Sequence, residues 1–214
     1  MPVNMPTSAE YFRFLPEIIL TVAGVLIMFL EAVFDEDRKK IFGPFSLVAL
    51  ALALGAAIAA AGDPGTAFSN MLIIDGFGSF FRVLVMGVGI LAVFSSMEYL
   101  AREKANGGEY YALILLSIVG QCIMATANEL IMIFIGLEIS SIASYILAGF
   151  LRDDKRANES ALKYFLLGSF ATAFLLYGVA WVYGATGSTN LATIQDRKST
   201  RLNSSHTDIS RMPS

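Results

Sequence analysis

Residues 130–150 read Leu130-Ile-Met-Ile-Phe-Ile-Gly-Leu-Glu138-Ile-Ser-Ser141-Ile-Ala-Ser-Tyr145-Ile-Leu-Ala-Gly-Phe150, a run of 21 residues with a single ionisable side chain. About 20 mostly apolar residues in a helix cross a bilayer core, so this run reads as a transmembrane helix with Glu138 near its middle. Five more runs of the same kind lie on either side: 15–34, 41–61, 76–97, 110–128 and 161–184. Six crossings make the chain an all-α polytopic membrane helix bundle. The composition agrees, with 56% hydrophobic and 15% charged residues over 214 positions, where a soluble domain carries about 25% charged. A soluble enzyme is excluded.

One Cys allows no intrachain disulfide, and one His leaves no His/Cys set for zinc, haem or iron–sulfur ligation. A net charge of −3 gives no electrostatic case for nucleic acid. Ahead of the first apolar run there is neither a basic start nor a small-residue cleavage site, so that run reads as a retained helix. Lys and Arg fall in alternate connections: Arg38, Lys39 and Lys40, then Arg102 and Lys104, then Arg152, Lys155 and Arg156. The opposite connections, 62–75 and 127–129, hold none. Positive loops stay in the cytoplasm, so the N-terminus is expected outside and the chain multi-pass in a bacterial inner membrane, with lipid as its first partner. Gly62-Asp-Pro-Gly65 and Asn106-Gly-Gly108 supply turn chemistry between helices.

From Arg197 the chain turns polar and loses periodicity, and it contains His206, the only histidine. Residues 197–214 are too polar for a seventh span. They resemble a translation of sequencing-adapter DNA joined to an incomplete gene, the alternative being a disordered tail. Such scars are set aside from fold reasoning, leaving 11 basic and 17 acidic residues. The division expected is four helices in 1–128, a second unit beginning in 129–196, and the tail in 197–214.

An ionisable group in mid-membrane is expensive and functional by default, which singles out Glu138. Burial favours the neutral form of an acid unless a cation sits nearby. The structural alternative is a protonated carboxyl hydrogen-bonded between helices. Ser141 and Tyr145, three and seven positions on, share its face, with Ser140 and Ser144 flanking. This stripe is either a polar lining or ordinary small-residue helix packing. Lys163 is the candidate partner. On a helix capped by Asn158 it would lie about 7–8 Å in, either snorkelling to the interface or facing the bundle beside a carboxylate. Glu17, Glu31, Asp75 and Arg82 lie near span ends and read as interfacial groups, Arg82 snorkelling outward beside Phe80-Phe81. Gly87-Val-Gly89 lies inside an apolar run and lacks the strand a dinucleotide loop needs.

Five stretches carry a resemblance: Leu15-Pro-Glu-Ile-Ile-Leu-Thr21, Asp75-Gly-Phe-Gly-Ser-Phe-Phe81, Gly136-Leu-Glu-Ile-Ser-Ser141, Glu159-Ser-Ala-Leu-Lys-Tyr-Phe165 and Tyr183-Gly-Ala-Thr-Gly-Ser-Thr-Asn-Leu191. In order and spacing, over about residues 11–195, they resemble the family of NADH-quinone oxidoreductase subunit N of respiratory complex I. The paralogous subunits usually place an aromatic residue before the membrane glutamate, where this chain has Leu137. The resemblance implies a fourteen-helix antiporter-like fold with two inverted five-helix repeats, of which this chain would be the first part. Glu138 matches the family's fifth-helix glutamate and Lys163 a lysine at the start of the sixth. Family lysines on helices seven, eight and twelve have no counterpart here. It further implies proton translocation coupled to electron transfer from NADH to quinone. The partners would be other membrane subunits, which with the peripheral subunits hold FMN, iron–sulfur clusters and the NADH and quinone sites; no cofactor is expected in this chain. Two alternatives are a subunit of a multi-component sodium/proton antiporter and a non-transporting membrane remnant.

Overall fold

In the computed structural model, residues 5–34, 39–103, 105 and 107–197 are described. Arg38, Lys104 and the polar segment after Arg197 therefore lie outside the described residues. A short helix α1 (Ser8–Arg13) leads into α2 (Leu15–Glu31), followed by a 3-10 turn (Lys39–Ile41) and α3 (Phe42–Ala60). Two short strands, β1 (Gly65–Ala67) and β2 (Leu72–Ile74), precede α4 (Gly76–Glu103), α5 (Gly108–Thr126), α6 (Leu130–Ala148) and α7 (Lys155–Thr186). Among the described residues, the five helices α3 to α7 are long and apolar enough to cross a membrane. With 17 residues, α2 sits at the lower limit for a span, and the sixth expected crossing is this shorter helix.

Local chemistry sets the helix ends. The side chain of Thr7 accepts from the Glu10 amide while Glu10 reaches back to the Thr7 amide, a reciprocal cap for α1. Pro16 occupies the first turn of α2, where its missing N–H costs nothing. Asp75 Oδ1 accepts from Gly78 N at 2.7 Å and caps α4, which accounts for a carboxylate at this mouth. The cap of α7 is Asp154, whose Oδ1 accepts from Arg156 N at 2.8 Å. This differs from the expected Asn158 cap and adds a turn to the start of the helix. Gly187, with φ of 66°, closes α7 in the left-handed region.

The helices α2, α3, α4 and α5 pack around one apolar core that includes Leu20, Ile27, Leu50, Met86, Val93 and Leu115. α5 is its axis, buried along most of its length between α2 and α4, and it also carries α6 on its free side. α7 packs on α6 and buries only Val179, leaving Leu166, Leu167, Phe170 and Trp181 exposed.

The connections sort by end. At one end Asn128 N donates to Met71 O (2.8 Å), Leu130 N to Thr189 O (2.9 Å), and Glu129 pairs with Asn190. The other end is held by Glu31 Oε2 accepting from Gly108 N at 2.7 Å, the Tyr110–Phe150 edge contact at 5.0 Å, and the Arg152–Glu109 ion pair at 3.7 Å. The connections without Lys or Arg thus share one end. The turn expected at 62–65 opens into a hairpin, in which β1 and β2 pair antiparallel with Thr66 opposite Ile73. Its tip places Phe68, Ser69 and Asn70 at φ of 52°, 57° and 70°, a run that non-glycine residues rarely adopt.

Candidate functional site

Two places put charge inside the bundle. The first joins α2 to α4. Arg82 Nε donates to Glu17 Oε1 at 2.8 Å, and Arg82 Nη2 donates both to Glu17 Oε2 and to Arg13 O, the latter at 2.9 Å. Arg82 is 1% exposed and Glu17 0%. Taken alone in the sequence, Arg82 is expected to reach outward to the interface and Glu17 to lie at a span end. Instead the two neutralise each other in the interior, because an unpaired charge there costs several kcal/mol. This pairing was the signal missed: two ionisable residues of opposite sign within apolar runs are each other's first candidate partner.

The second place lies along α6. Gly120 of α5 and Gly136 of α6 meet back to back: a Cβ on Gly120 would stand 2.5 Å from Gly136 O, and one on Gly136 2.7 Å from Gly120 O. That approach, open to glycine alone, brings polar side chains into contact. Ser117 Oγ and Ser140 Oγ lie 3.0 Å apart, and Gln121 Nε2 donates to Ser117 Oγ at 3.2 Å. Ser140 therefore faces α5. Ser117 and Gln121 are not among the residues expected from the sequence, although their spacing of four in an apolar run places them on one helix face and was the available signal.

Two residues from both Gly136 and Ser140, Glu138 lies on the other side of α6 by helical spacing, with Ser141 and Tyr145. Its Oε1 is shielded from solvent and has no hydrogen-bond partner among the described residues. Tyr145 meets α7, its ring 4.7 Å from Tyr164 and 5.8 Å from Phe165, and its hydroxyl occupies the space a side chain on Gly168 would need. Ser144 Oγ donates to the Ser140 carbonyl at 2.9 Å, back-bonding within the helix.

Lys163 stands next to Tyr164, at the level of Tyr145. Glu138 is seven residues further along α6, about 10 Å by helix rise. Lys163 is exposed and its Nζ donates to Glu159 Oε1 at 2.5 Å, one turn back on α7. With α7 starting at Lys155, Lys163 lies about 12 Å into the helix rather than 7–8 Å. The structure thus places Glu138, Ser141 and Tyr145 on one face, and Lys163 two turns away with a carboxylate of its own.

Residues 127–211 match the family described as NADH:quinone oxidoreductase/Mrp antiporter, transmembrane. The chain is 61% identical over 196 residues to NADH-quinone oxidoreductase subunit N 1 of Solibacter usitatus, covering 89% of this chain and 40% of that protein. It is 47% identical over 195 residues to subunit N 2 of Koribacter versatilis, covering 87% and 40%. Among solved structures, a chain of respiratory complex I from Thermus thermophilus with bound Aureothin superposes with a TM-score of 0.69 at 33% identity, covering 82% of this chain and 38% of that one. A chain of the membrane-bound sulfane sulfur reductase, an archaeal respiratory membrane complex, shares the fold with a TM-score of 0.69 at 24% identity, covering 85% and 39%. The chain spans about two fifths of the length of the curated relatives it matches. In sequence and in fold, it resembles part of NADH-quinone oxidoreductase subunit N, a membrane subunit of respiratory complex I.

Proposed function

We propose that this chain is part of a proton-translocating membrane subunit of NADH-quinone oxidoreductase, with Glu138 as the group that carries or gates the proton. The observation behind the reading is the shielded carboxyl oxygen of Glu138, without a partner among the described residues, at the centre of a bilayer-length helix. A carboxyl group in such a place is held neutral or charged by whatever cation approaches it. An ammonium drawing near favours the carboxylate, and its withdrawal favours proton uptake. Lys163 is a candidate for that cation, on the condition that it leaves Glu159. Ser141 and Tyr145 would line the same face. NADH oxidation, flavin and iron–sulfur electron transfer and quinone reduction fall to partner subunits. Coupling then reaches Glu138 as a free energy shared between distant sites.

The subunit N relatives favour complex I over a sodium/proton antiporter, although the matched family description covers both. The test is Glu138→Gln in the assembled complex, reading protons moved per NADH oxidised in sealed vesicles. A fall in that ratio with normal assembly is expected. An unchanged ratio would remove Glu138 from the pathway, and sodium-dependent rather than proton-dependent transport would favour the antiporter.

A further inference from the structure

The buried Glu17–Arg82 pair is attached to more than two helices. Above it sits α1, whose last carbonyl, Arg13 O, accepts from Arg82 Nη2 at 2.9 Å. The Arg13 side chain reaches on to the hairpin connection, its Nε donating to Asp63 O at 3.1 Å, its Nη1 to Thr66 O at 2.8 Å and its Nη2 to Asp63 Oδ1 at 3.2 Å. Glu10 holds the strained hairpin tip by accepting from Phe68 N at 2.9 Å, with the rings of Tyr11 and Phe14 edge-on to Phe68. Asn128 ties the same tip to the end of α5 by donating to Asn70 O at 2.9 Å. Two arginines and two carboxylates thus run as one chain of hydrogen bonds from the interior of α2 and α4 to the surface hairpin. Beneath it, Arg82 Nη1 is shielded and unpartnered among the described residues, and Cys122 of α5 is fully buried in the apolar core that α2, α4 and α5 share.

We propose that α1 and the β1–β2 hairpin form a cap over the α2–α4–α5 bundle, latched from inside by Glu17 and Arg82, which keeps bulk water from the bundle interior at this end. A charged N–H left without an acceptor is tolerated where water is excluded only if the surrounding bonds hold the group in place. Three of the donated bonds of Arg82 do so, and one of these ends on the cap itself. Removing the latch frees α1 and the hairpin to lift. Water then follows to Arg82 Nη1 and on to Cys122. This role is independent of proton movement at Glu138, which sits on the far side of α5 and α6.

Cys122 is the only cysteine of the chain and serves as the native probe. The chain is labelled in sealed membrane vesicles of both orientations with a membrane-impermeant thiol reagent, with Thr66→Cys as a marker of the hairpin face. Cys122 should be protected in the parent chain. In Arg82→Gln its labelling from the hairpin face should rise about tenfold or more, because the open population grows with the hydrogen-bond free energy lost. If Arg82→Gln does not accumulate in the membrane, Arg13→Gln carries the test, since it leaves the buried pair intact and unpins only the cap. Faster labelling from the hairpin face in either variant supports the latch. Labelling in the parent chain, unchanged protection in variants present at parental amounts, or labelling from the opposite face would overturn it.

Discussion

The two intramembrane carboxylates of this chain are treated in opposite ways. Glu17 takes two bonds from an arginine and is sealed under a cap, within a four-helix bundle that shares one apolar core. Glu138 has a carboxyl oxygen with no partner among the described residues, on a helix whose outer neighbour, α7, buries a single residue. A carboxylate held on both oxygens by an arginine contributes order. One whose oxygen has no partner among the described residues is free to respond to a charge that moves past it. The first region reads as scaffold and the second as working part.

The largest effect is expected where the contrast is sharpest. Glu17→Gln strands the Arg82 guanidinium and should destabilise the bundle by about 3–5 kcal/mol, whereas Glu17→Leu with Arg82→Met should recover most of the loss, since a buried pair replaced by apolar groups is often neutral. Thermal unfolding in detergent measures both. Equal losses in the single and double variants would mean that the pair is not a unit.

Next is the α5–α6 contact that builds the second region. Gly120→Ala forces its new methyl against the Gly136 carbonyl and should cost about 1–3 kcal/mol as overpacking. The same substitution at Gly55, where a Cβ meets nothing within 4 Å, provides the control and should leave the unfolding midpoint unchanged.

Lys163→Ala should change stability by less than about 0.5 kcal/mol, because its bond to Glu159 is an exposed one-turn pair. Any large change in transport from this variant would therefore report function rather than folding.

The smallest effect is at the cap. The Thr7 amide hydrogen bond holds the Glu10 carboxyl below its ordinary value of 4.5, with the Thr7 hydroxyl, the Phe68 amide and the Arg13 charge acting in the same direction. A depressed carboxyl pKa contributes stability that is present above the ordinary value and is lost as pH falls through the folded one. The protection factor of the Phe68 amide, its exchange rate corrected for the intrinsic pH dependence, should fall in that acid window and stay constant above it; a constant protection factor throughout would detach Glu10 from the hairpin.

The spans were legible because bilayer length and apolarity are properties of contiguous residues: five of the six runs appear as long helices, α3, α5 and α6 within two residues of their expected ends, while α4 runs six residues further and α7 starts six residues earlier. Glu138 was legible for the same reason, as a lone charge in such a run. Partners distant in sequence were not. Glu17 and Arg82 stand 65 positions apart, and each taken alone looks like a span-end residue that snorkels. Gln121 and Ser117 became part of a polar contact only through the Gly120–Gly136 approach, which needs two helices to be set side by side. The start of α7 moved because Asp154, in a loop of several possible caps, outcompeted Asn158, whose amide donates to Arg152 O at 2.7 Å instead.

The most direct measurement of the central claim is infrared difference spectroscopy of the assembled complex between rest and turnover, comparing the parent with Glu138→Gln and with the double variant Glu17→Leu, Arg82→Met. A carboxyl band that changes on turnover, vanishes in Glu138→Gln and persists in the double variant is the expected result. A band that survives Glu138→Gln, or that disappears with Glu17, would contradict the division of labour between the two carboxylates.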